Sequence, residues 1–402
     1  MQPPATYDVA RVRACFPALA EGTAHFDGPG GSQVPEPVAR AVADTLTSSI
    51  SNRGRVSTAE RRADDIVTAA RRAVADLLGG VEDGVVFGRS MTQLSYDLAR
   101  TLAAAWQPGD QVVVTRLDHD ANIRPWVQAA HSVGATVRWA PFDPHTGELA
   151  TTAVTELLTE RTRVVAVTAA SNLIGTRPDV AAIVQAAHAV GALVHVDGVH
   201  LTPHAPVDMS VMGADFYATS PYKWMGPHHG ALIADPALLD TLHPHKLLPS
   251  SQQVPERFEL GTLPYELLAG TAAAVDFIAD LVPSVGDRRG RVCTSMAAAQ
   301  AHEHVLFERL VDALGSLEGV TLHGHPKRRT PTVLFSVAGR SPAQVHEELA
   351  ARGVNAPGDN FYALEASRWM GLGDEGAVRA GIAPYTDDAD VDRLLEGVAA
   401  LL

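Results

Sequence analysis

Two side chains that could act on one cofactor, Asp197 and Lys223, each follow a short apolar segment that is typical of a buried strand. The segments are 193–196 and 215–219, and open α/β sheets bind their ligands at the carboxyl ends of such strands. An amine and a carboxylate so placed suit pyridoxal phosphate, which uses a lysine for its Schiff base and an acid to keep its ring nitrogen protonated. A single lysine is usually a solvated charge and a single aspartate a turn former, so the prediction rests on the pair.

The elements that must position this pair alternate between strand and helix along most of the chain. Valine-rich strands such as the one in 109–115 are separated by helices such as 59–78, and this order favours a parallel sheet. The last hundred residues change character, with strands at 319–323, 330–337 and 378–383 and helices beginning near Pro342 and Asp388. We therefore predict an N-terminal arm (1–25) that packs on the small domain, a large cofactor-binding domain (26–285), a linker within 286–290 and a small C-terminal α+β domain (286–402).

The segments DGVH (197–200) and SPYKWMGP (220–227) resemble motifs of the class V aminotransferases, specifically of their cysteine desulfurase-like branch. The segments DHDANIRPW (118–126) and RFELGT (257–262) extend this resemblance, which covers almost the whole chain. The resemblance implies an α/β enzyme with the type I fold of pyridoxal phosphate enzymes. In that fold a mostly parallel seven-stranded sheet lies between helices in the large domain, and the smaller C-terminal domain is α+β.

The same resemblance implies a role for each residue of a cofactor site. Lys223 would carry the cofactor, Asp197 would contact its ring nitrogen and His119 would stack on its ring. A turn that precedes a helix at Met91 and Thr92 would offer backbone N–H groups to the phosphate. The other implied contacts are Asn172 and His200 at the phenolic oxygen, Ser220 and Tyr222 at the phosphate, and Gly261 and Thr262 from the opposite subunit. The last two imply a homodimer with its active sites at the interface.

A second group of residues is predicted to bind the substrate. Arg379, in the segment VRAGIAPY (378–385), matches the arginine that binds the substrate α-carboxylate in the family. A planar guanidinium suits this task because it donates two parallel hydrogen bonds to a carboxylate. An α-amino acid is therefore the predicted substrate. The remaining predicted substrate contacts are Gly30, Arg53, Asn360 and Tyr362, although Arg53 could equally be a surface charge and Tyr362 could equally pack between the domains.

One expected feature of a cysteine desulfurase is missing. Such enzymes carry a nucleophilic cysteine on a loop before the arginine, but the segment 353–372 contains no cysteine, and Tyr362 falls at that position. The cysteines of the chain, Cys15 and Cys293, match no catalytic loop. We therefore predict a carbon–sulfur β-lyase that acts on cysteine or a cysteine S-conjugate, a chemistry known in natural-product pathways. The alternatives are an aminotransferase, an epimerase or a decarboxylating oxidative deaminase, and, from another class, a pyridoxal phosphate-binding protein without activity.

Composition excludes other classes of function. The net charge of −14 provides no basic surface for nucleic acid, and no apolar segment is long enough to span a membrane. The N-terminus lacks the features of a signal peptide, so a cytoplasmic location is expected. Histidines cluster in sequence, but they lack the spacing of a known zinc motif, and no metal site is predicted. The histidines in question are His195, His200, His204, His228 and His229.

Overall fold

The computed structural model describes residues 7–402, so the first six residues of the predicted N-terminal arm lie outside the described part of the chain. The described arm contains α1 (Val9–Arg13) and β1 (Ala24–His25). Strand β1 pairs in parallel with β11 (Val354–Asn355), which ties the arm to the C-terminal part of the protein. The side chain of Arg13 adds an ion pair with Asp387 at 3.0 Å and another with Asp390 at 2.6 Å.

A seven-stranded sheet forms the centre of the fold, as predicted. All neighbouring strands are parallel except at β8, which is antiparallel to both of its neighbours, β2 and β7. The spatial order is β2-β8-β7-β6-β5-β3-β4. In chain order the strands are β2 (Val85–Gly88), β3 (Gln111–Thr115), β4 (Thr136–Ala140), β5 (Thr162–Thr168), β6 (Leu193–Asp197), β7 (Phe216–Thr219) and β8 (Gly230–Ala234).

The central strands are buried on both faces because helices cover both sides of the sheet. Successive residues of β3, β5 and β6 point to opposite faces, and those of one strand divide between two hydrophobic clusters. Val113 and Val165 belong to one cluster, whereas Val112 and Val164 belong to the other. This double burial explains why the strands are continuous runs of valine rather than alternations of apolar and polar residues.

The helices of this part of the chain connect the strands or precede them. Many begin at a side chain that accepts a hydrogen bond from the first turn, such as Ser57, which forms a capping box with Glu60. They are α2 (Glu36–Thr47), α3 (Thr58–Leu78), α4 (Met91–Ala103), α5 (Arg124–Ser132), α6 (Thr151–Thr155), α7 (Val180–Ala189), α8 (Met209–Met212), α9 (Pro236–Asp240) and α10 (Tyr265–Ala279).

The C-terminal part contains a four-stranded antiparallel sheet of order β12-β13-β10-β9. Its strands are β9 (Val320–His323), β10 (Thr332–Val337), β12 (Gly358–Asp359) and β13 (Ala377–Gly381). Three helices, α11, α12 and α14, contribute buried residues to the hydrophobic cluster of this sheet. The helices are α11 (Arg288–Ser316), α12 (Pro342–Ala350), α13 (Leu364–Trp369) and α14 (Asp388–Ala399).

The helix α11 connects the two parts of the fold. Its first half places Val292 and Met296 in the cluster beside the central sheet, and its second half places Leu306 and Leu310 in the C-terminal cluster. The helix begins directly after Asp287, which caps it, so residues 288–290 of the predicted linker are helical. The domain boundary that we propose at 285–286 therefore lies at the start of a helix that serves both cores.

Strand β8 was not predicted. It begins at Gly230, where a Cβ atom would lie 2.3 Å from the carbonyl carbon of Ser90, so only glycine lets the strand pass the start of α4. The short helices α9 and α13 were also not predicted. Within residues 7–402, no helix is both long and apolar enough to cross a membrane.

Candidate active site

A cleft at the carboxyl ends of β5, β6 and β7 contains most of the predicted site residues. Its inner part has a volume of about 50 Å³ and opens into an outer part of about 620 Å³. The predicted residues that line the inner part are Met91, Thr92, His119, Asn172, Asp197, His200, Ser220, Tyr222 and Lys223. The outer part adds Gly30, Tyr362 and Arg379. The parallel register explains this convergence, because Thr168 of β5 lies opposite Asp197 of β6, which lies opposite Ala218 of β7.

Lys223 ends a 3₁₀ turn that follows β7, and its amine reaches the interior of the cleft. The amine donates a hydrogen bond to the carbonyl oxygen of Pro29. Burial, together with the positive charge of Arg379, lowers the pKa of Lys223 to about 7, and Asp197 and Asp27 oppose this shift only in part. A lysine with such a pKa is partly neutral at physiological pH, which is the form that can attack a carbonyl or accept a proton.

Asp197 is the last residue of β6 and is only 4% exposed. One of its carboxylate oxygens, Oδ1, accepts a hydrogen bond of 2.9 Å from the backbone N–H of Val199. Burial raises the pKa of Asp197 to about 6, while the Val199 N–H and the charge of Lys223 lower it. A nearby cation would favour the charged carboxylate further, so the site is suited to a ligand that carries a protonated nitrogen.

His119 is held in one tautomer by the backbone that follows it. Its Nδ1 accepts a hydrogen bond of 3.0 Å from the N–H of Ala121, which places the proton of the neutral ring on Nε2. Burial and the charge of Lys223 lower the pKa of His119 to about 4, so the ring is neutral at physiological pH. The ring of Tyr362 stacks against it with a centroid distance of 5.6 Å.

The start of α4 provides donors for an anion at one end of the cleft. Ser90 caps the helix and accepts a hydrogen bond from the N–H of Gln93 at 3.1 Å. The N–H groups of Met91 and Thr92, at the first two helical positions, have no acceptor within the helix and lie in the cleft wall. The hydroxyl of Ser220 and the ring of Tyr222, which stacks on His228 at 4.7 Å, line the same cleft.

In the wall of the inner part of the cleft, two buried polar atoms lack a hydrogen-bond partner in the described part of the protein: Asn172 Oδ1 and His200 Nδ1. The amide nitrogen of Asn172 donates to the carbonyl oxygen of Phe361 at 2.9 Å, and His200 Nε2 bonds the hydroxyls of Thr330 and Thr332 at 2.9 and 3.0 Å. A buried polar atom without a partner is costly, so a polar ligand in the cleft would stabilise both. Together with the amine of Lys223 and the carboxylate of Asp197, these atoms fit pyridoxal phosphate.

Arg379 lies on β13 and is 3% exposed, with its guanidinium in the outer part of the cleft. It donates to the carbonyl oxygen of Asn172 at 2.9 Å, and its Nε is buried without a partner. Burial lowers the pKa of Arg379 to about 9, although Asp27 and Asp359 oppose the shift. No carboxylate of the described residues forms an ion pair with it, so its remaining donors can receive the carboxylate of a ligand.

The loop between β12 and α13 closes the outer part of the cleft. Phe361 and Tyr362 have φ angles of 54° and 59°, in the left-handed region that aromatic residues rarely adopt. The carbonyl oxygen of Tyr362 accepts a hydrogen bond of 2.7 Å from the N–H of Asp120, while Phe361 covers the guanidinium of Arg379 at 3.7 Å. These contacts hold the loop against the groups that face a substrate.

Four predicted site residues do not line the cleft. Arg53 forms ion pairs with Asp64 at 2.8 Å and Glu256 at 2.9 Å, and these partners hold its side chain outside the cleft of its own chain. Asn360 donates its side-chain N–H to the carbonyl oxygen of Asp374. Two further predicted residues lie toward the surface of the chain, where the proposed role in an opposite subunit would place them: Gly261 and Thr262.

Several groups in or beside the cleft were not predicted. Pro29 accepts from Lys223, and Asp27 acts on the charges of both Lys223 and Arg379. The glycine-rich turn at 28–31 was a signal for a close approach of backbone, but nothing in the sequence indicates which carbonyl faces the lysine. The charged residues at the cleft mouth were not predicted either; they are Arg124, Asp120 and Asp359.

The clustered histidines have different hydrogen-bond partners, although the rings of His200 and His204 lie 5.2 Å apart. Nδ1 of His195 bonds Asn122 at 2.9 Å, His204 contacts Glu303 at 3.1 Å, and His229 bonds the hydroxyl of Thr271. Within residues 7–402, no group of three or more His, Cys, Asp or Glu side chains could hold a metal ion.

Comparison with known proteins agrees with this geometry. The family model "Aminotransferase class-V" matches residues 24–394. An uncharacterized protein of Mycobacterium tuberculosis is 36% identical, over 98% of this chain and 99% of that protein. An aminotransferase-like protein of Gibberella zeae is 32% identical over 99% of each chain. The crystal structure of the cysteine desulfurase CsdA from Escherichia coli matches with a TM-score of 0.87 at 28% identity, covering 99% of this chain and 100% of that chain.

The coupling between the charges of Lys223 and Arg379 predicts a measurable pH dependence. Pyridoxal phosphate reacts with the neutral amine, so the rate at which the cofactor-free protein forms its visible absorbance should fall as the pH falls through about 7. Arg379→Gln removes a positive charge that lowers the pKa of Lys223, so the midpoint should move upward by roughly 1 pH unit. Stopped-flow absorbance measures both midpoints.

Arg53→Gln is the matched control, because Arg53 is an arginine outside the cleft, and its midpoint should equal that of the unsubstituted protein. Borohydride reduction and peptide mapping identify the lysine that reacted, since the chain has three: Lys223, Lys246 and Lys327. An adduct on Lys246 or Lys327, or an identical midpoint in the Arg379 variant, would contradict the assignment.

Proposed function

The chain belongs to the class V aminotransferase family, and from this premise we propose that it is a carbon–sulfur β-lyase for cysteine or a cysteine S-conjugate. The family makes it a pyridoxal phosphate-dependent enzyme. The single observation that carries the more specific proposal is the loop over the cleft, in which Tyr362 lines the cleft at the position expected for the nucleophilic cysteine and segment 353–372 contains no cysteine.

The cofactor, when bound, draws electrons from the α-carbon of an amino acid that is joined to it. In our proposal Lys223 would bond the cofactor, and Asp197 would hold the proton on its ring nitrogen. The unpartnered atoms of Asn172 and His200 would bind its polar substituents. The N–H groups at the start of α4 would bind its phosphate. In each case the protein either leaves the contacting atom without a hydrogen-bond partner or buries it at a cost in free energy.

The substrate would be held by Arg379 and approached by Lys223. The guanidinium of Arg379 offers its unused N–H donors to the α-carboxylate, and the turn at Gly30 leaves the space beside it open, since a Cβ there would lie 3.5 Å from a guanidinium nitrogen. The neutral amine of Lys223 then accepts the proton of the α-carbon. The low pKa of this amine makes it a competent base near pH 7.

Loss of that proton permits either of two fates for a sulfur substituent, and the absence of a thiol favours one of them. A desulfurase needs a cysteine that attacks the substrate sulfur and keeps it, whereas β-elimination needs no protein nucleophile. In elimination the bond between Cβ and sulfur breaks, its electron pair leaves with the thiolate, and water completes the products as pyruvate and ammonia. The free cysteines Cys15 and Cys293 do not line the cleft, so neither is placed to accept sulfur.

A panel of S-substituted cysteines tests the proposed reaction. The loaded enzyme should release pyruvate, ammonia and thiol in equal amounts, because elimination produces one of each per substrate. Lactate dehydrogenase, a thiol reagent and an ammonia assay measure the three products. Asp197→Asn should retain cofactor but lose most of its rate, because a ring nitrogen without its proton stabilises the α-carbanion poorly.

Other products would contradict the proposal in distinguishable ways. A 2-oxo acid that retains the sulfur would indicate transamination. An amino acid with the opposite configuration at its α-carbon would indicate epimerisation, and release of carbon dioxide would indicate decarboxylation. A persulfide on Cys15 or Cys293 during turnover would restore the desulfurase interpretation.

The contacts of Tyr362 suit a role in substrate selection. Its side chain is 72% exposed, so it contributes little to the core, yet it stacks on His119 at the entrance of the cleft. The left-handed backbone at Phe361 and Tyr362 costs on the order of 1–3 kcal/mol per residue, and such strain persists where surrounding contacts fix it. An exposed aromatic ring in this position provides apolar area to a substituent on the substrate sulfur.

Removing this ring should therefore affect catalysis and leave the fold intact. Tyr362→Ala should lower kcat/KM for an S-benzyl conjugate by roughly threefold to tenfold, the equivalent of one aromatic contact. Tyr362→Phe is the matched control, because it keeps the ring and its stacking on His119. Steady-state kinetics and thermal unfolding measure the two effects. A large fall in Tm with unchanged kinetics would make Tyr362 a structural residue instead.

We further propose that the active enzyme is a homodimer, because exposed apolar residues surround the segment expected to reach the opposite cleft. Leu247, Leu248 and Leu260 are 68%, 95% and 52% exposed, and Leu260 directly precedes Gly261 and Thr262. Exposed leucines so close together are unusual for a free surface and typical of an interface.

Charge introduced at this surface should separate the subunits. Leu248→Asp should shift the protein from dimer to monomer in sedimentation and weaken its cofactor affinity, since Thr262 could no longer reach the opposite phosphate site. Val285→Asp is the matched control, because Val285 is also 95% exposed but lies before α11. A monomer that binds the cofactor as tightly as the unsubstituted protein would refute the role of Gly261 and Thr262.

A further inference from the structure

A second cavity, of about 410 Å³, shares no lining residue with the cleft. It lies where α11 meets the segment that follows β5 and the segment that precedes β10. Four cationic side chains make up half of its polar lining: Arg177, Lys327, Arg328 and Arg329. We call it the basic cavity. It is unusual in a chain whose net charge is −14.

The backbone brings these cations together. The N–H of Arg177 donates to the carbonyl oxygen of Arg328 at 2.8 Å, and Thr176 and Arg329 form an antiparallel bridge. Burial and the charge of Arg328 lower the pKa of Arg177 below its usual range. Like charges on paired segments repel each other, so this arrangement costs free energy unless an anion lies between them.

The basic cavity has no carboxylate in its lining. Glu303 pairs with His204 and Glu308 with His304, which are lining histidines, and Glu148 accepts a hydrogen bond from the backbone N–H of Lys327. In the described part of the chain, none of the four cationic side chains that line the basic cavity (Arg177, Lys327, Arg328 and Arg329) forms an ion pair within 4.0 Å. The positive charge is therefore available to a ligand.

Arg329 adds an independent indication of a missing partner. Its Nε is buried and has no hydrogen-bond partner within the described residues. Its guanidinium donates to the carbonyl oxygen of Thr332 at 2.7 Å and lies 4.7 Å from the centre of the Phe307 ring, which fixes its orientation. A fixed guanidinium with an unused donor is a ready contact for an oxyanion.

We propose that the basic cavity binds a small metabolite that carries a phosphate or diphosphate group. Arginine is the side chain best matched to phosphate oxygens, because its N–H groups form two parallel bonds with them. The volume exceeds what a single inorganic phosphate fills and lies within the range of pockets for small organic ligands. The cationic side chains would bind the phosphate, and the apolar residues of α11 that line the cavity, such as Phe307, would contact the organic part.

The holoenzyme, saturated with pyridoxal phosphate, is the protein to test, because a bound cofactor occupies the phosphate site at α4. Isothermal titration with inorganic diphosphate, at constant ionic strength in a buffer without phosphate, should show one site per chain. Arg328→Gln and Lys327→Gln should each weaken binding roughly tenfold. Both side chains are exposed, so these substitutions should leave the fold unchanged, which circular dichroism verifies.

Two control substitutions separate this site from others. Arg138→Gln removes an exposed arginine on β4, and Arg379→Gln removes the arginine of the cleft; neither should change diphosphate binding. Loss of binding in Arg379→Gln alone would place the anion in the cleft and overturn the proposal. Absence of binding at millimolar diphosphate would overturn it as well. Tighter binding of citrate than of diphosphate would overturn the assignment of the ligand class.

Discussion

The burial of the Lys223 amine is the constraint on which the rest of the active site depends. A fully hydrated lysine stays charged at neutral pH and can neither attack a carbonyl nor accept a proton. Three features fix the state of this amine: the turn after β7 places it in the cleft, the 28–31 turn contacts it through the Pro29 carbonyl, and the guanidinium of Arg379 on β13 opposes its charge. These features come from distant parts of the chain, so the central sheet and the C-terminal sheet must both be in place before Lys223 becomes reactive.

Two buried acids near the cleft, Asp118 and Asp197, differ in how readily they ionise. Burial raises the pKa of Asp118 to about 8, while it also accepts hydrogen bonds from Thr115 and Asn122. Burial raises the pKa of Asp197 less, to about 6, so Asp197 loses its proton more readily than Asp118. His119 is neutral because burial lowers its pKa. The inner part of the cleft thus offers one carboxylate, that of Asp197, to a ligand nitrogen and a neutral ring to stack on it.

The sequence predicted these features to different degrees, for physical reasons. Strand ends are visible as apolar runs that stop at a polar residue, so Asp197 and Lys223 could be found, and the parallel sheet followed from their alternation with helices. The role of Arg53 could not be assigned from the sequence, because the fold alone brings Asp64 and Glu256 to its side chain as ion-pair partners. Strand β8 was missed because its direction is set by pairing with β2 and β7 and by the space that Gly230 leaves.

The loop over the cleft shows how an aromatic residue and a substrate can share one arginine. Phe361 covers the face of the Arg379 guanidinium, and a guanidinium binds carboxylates through the N–H groups at its edge. The two interactions therefore do not compete, and a bound carboxylate would leave the loop in place. The strained backbone at Phe361 and Tyr362 is fixed by hydrogen bonds from Asn172 and from the N–H of Asp120. In the proposed lyase, the same loop position would enclose a substrate without supplying a thiol, so that carbon–sulfur cleavage would not require sulfur transfer to the protein.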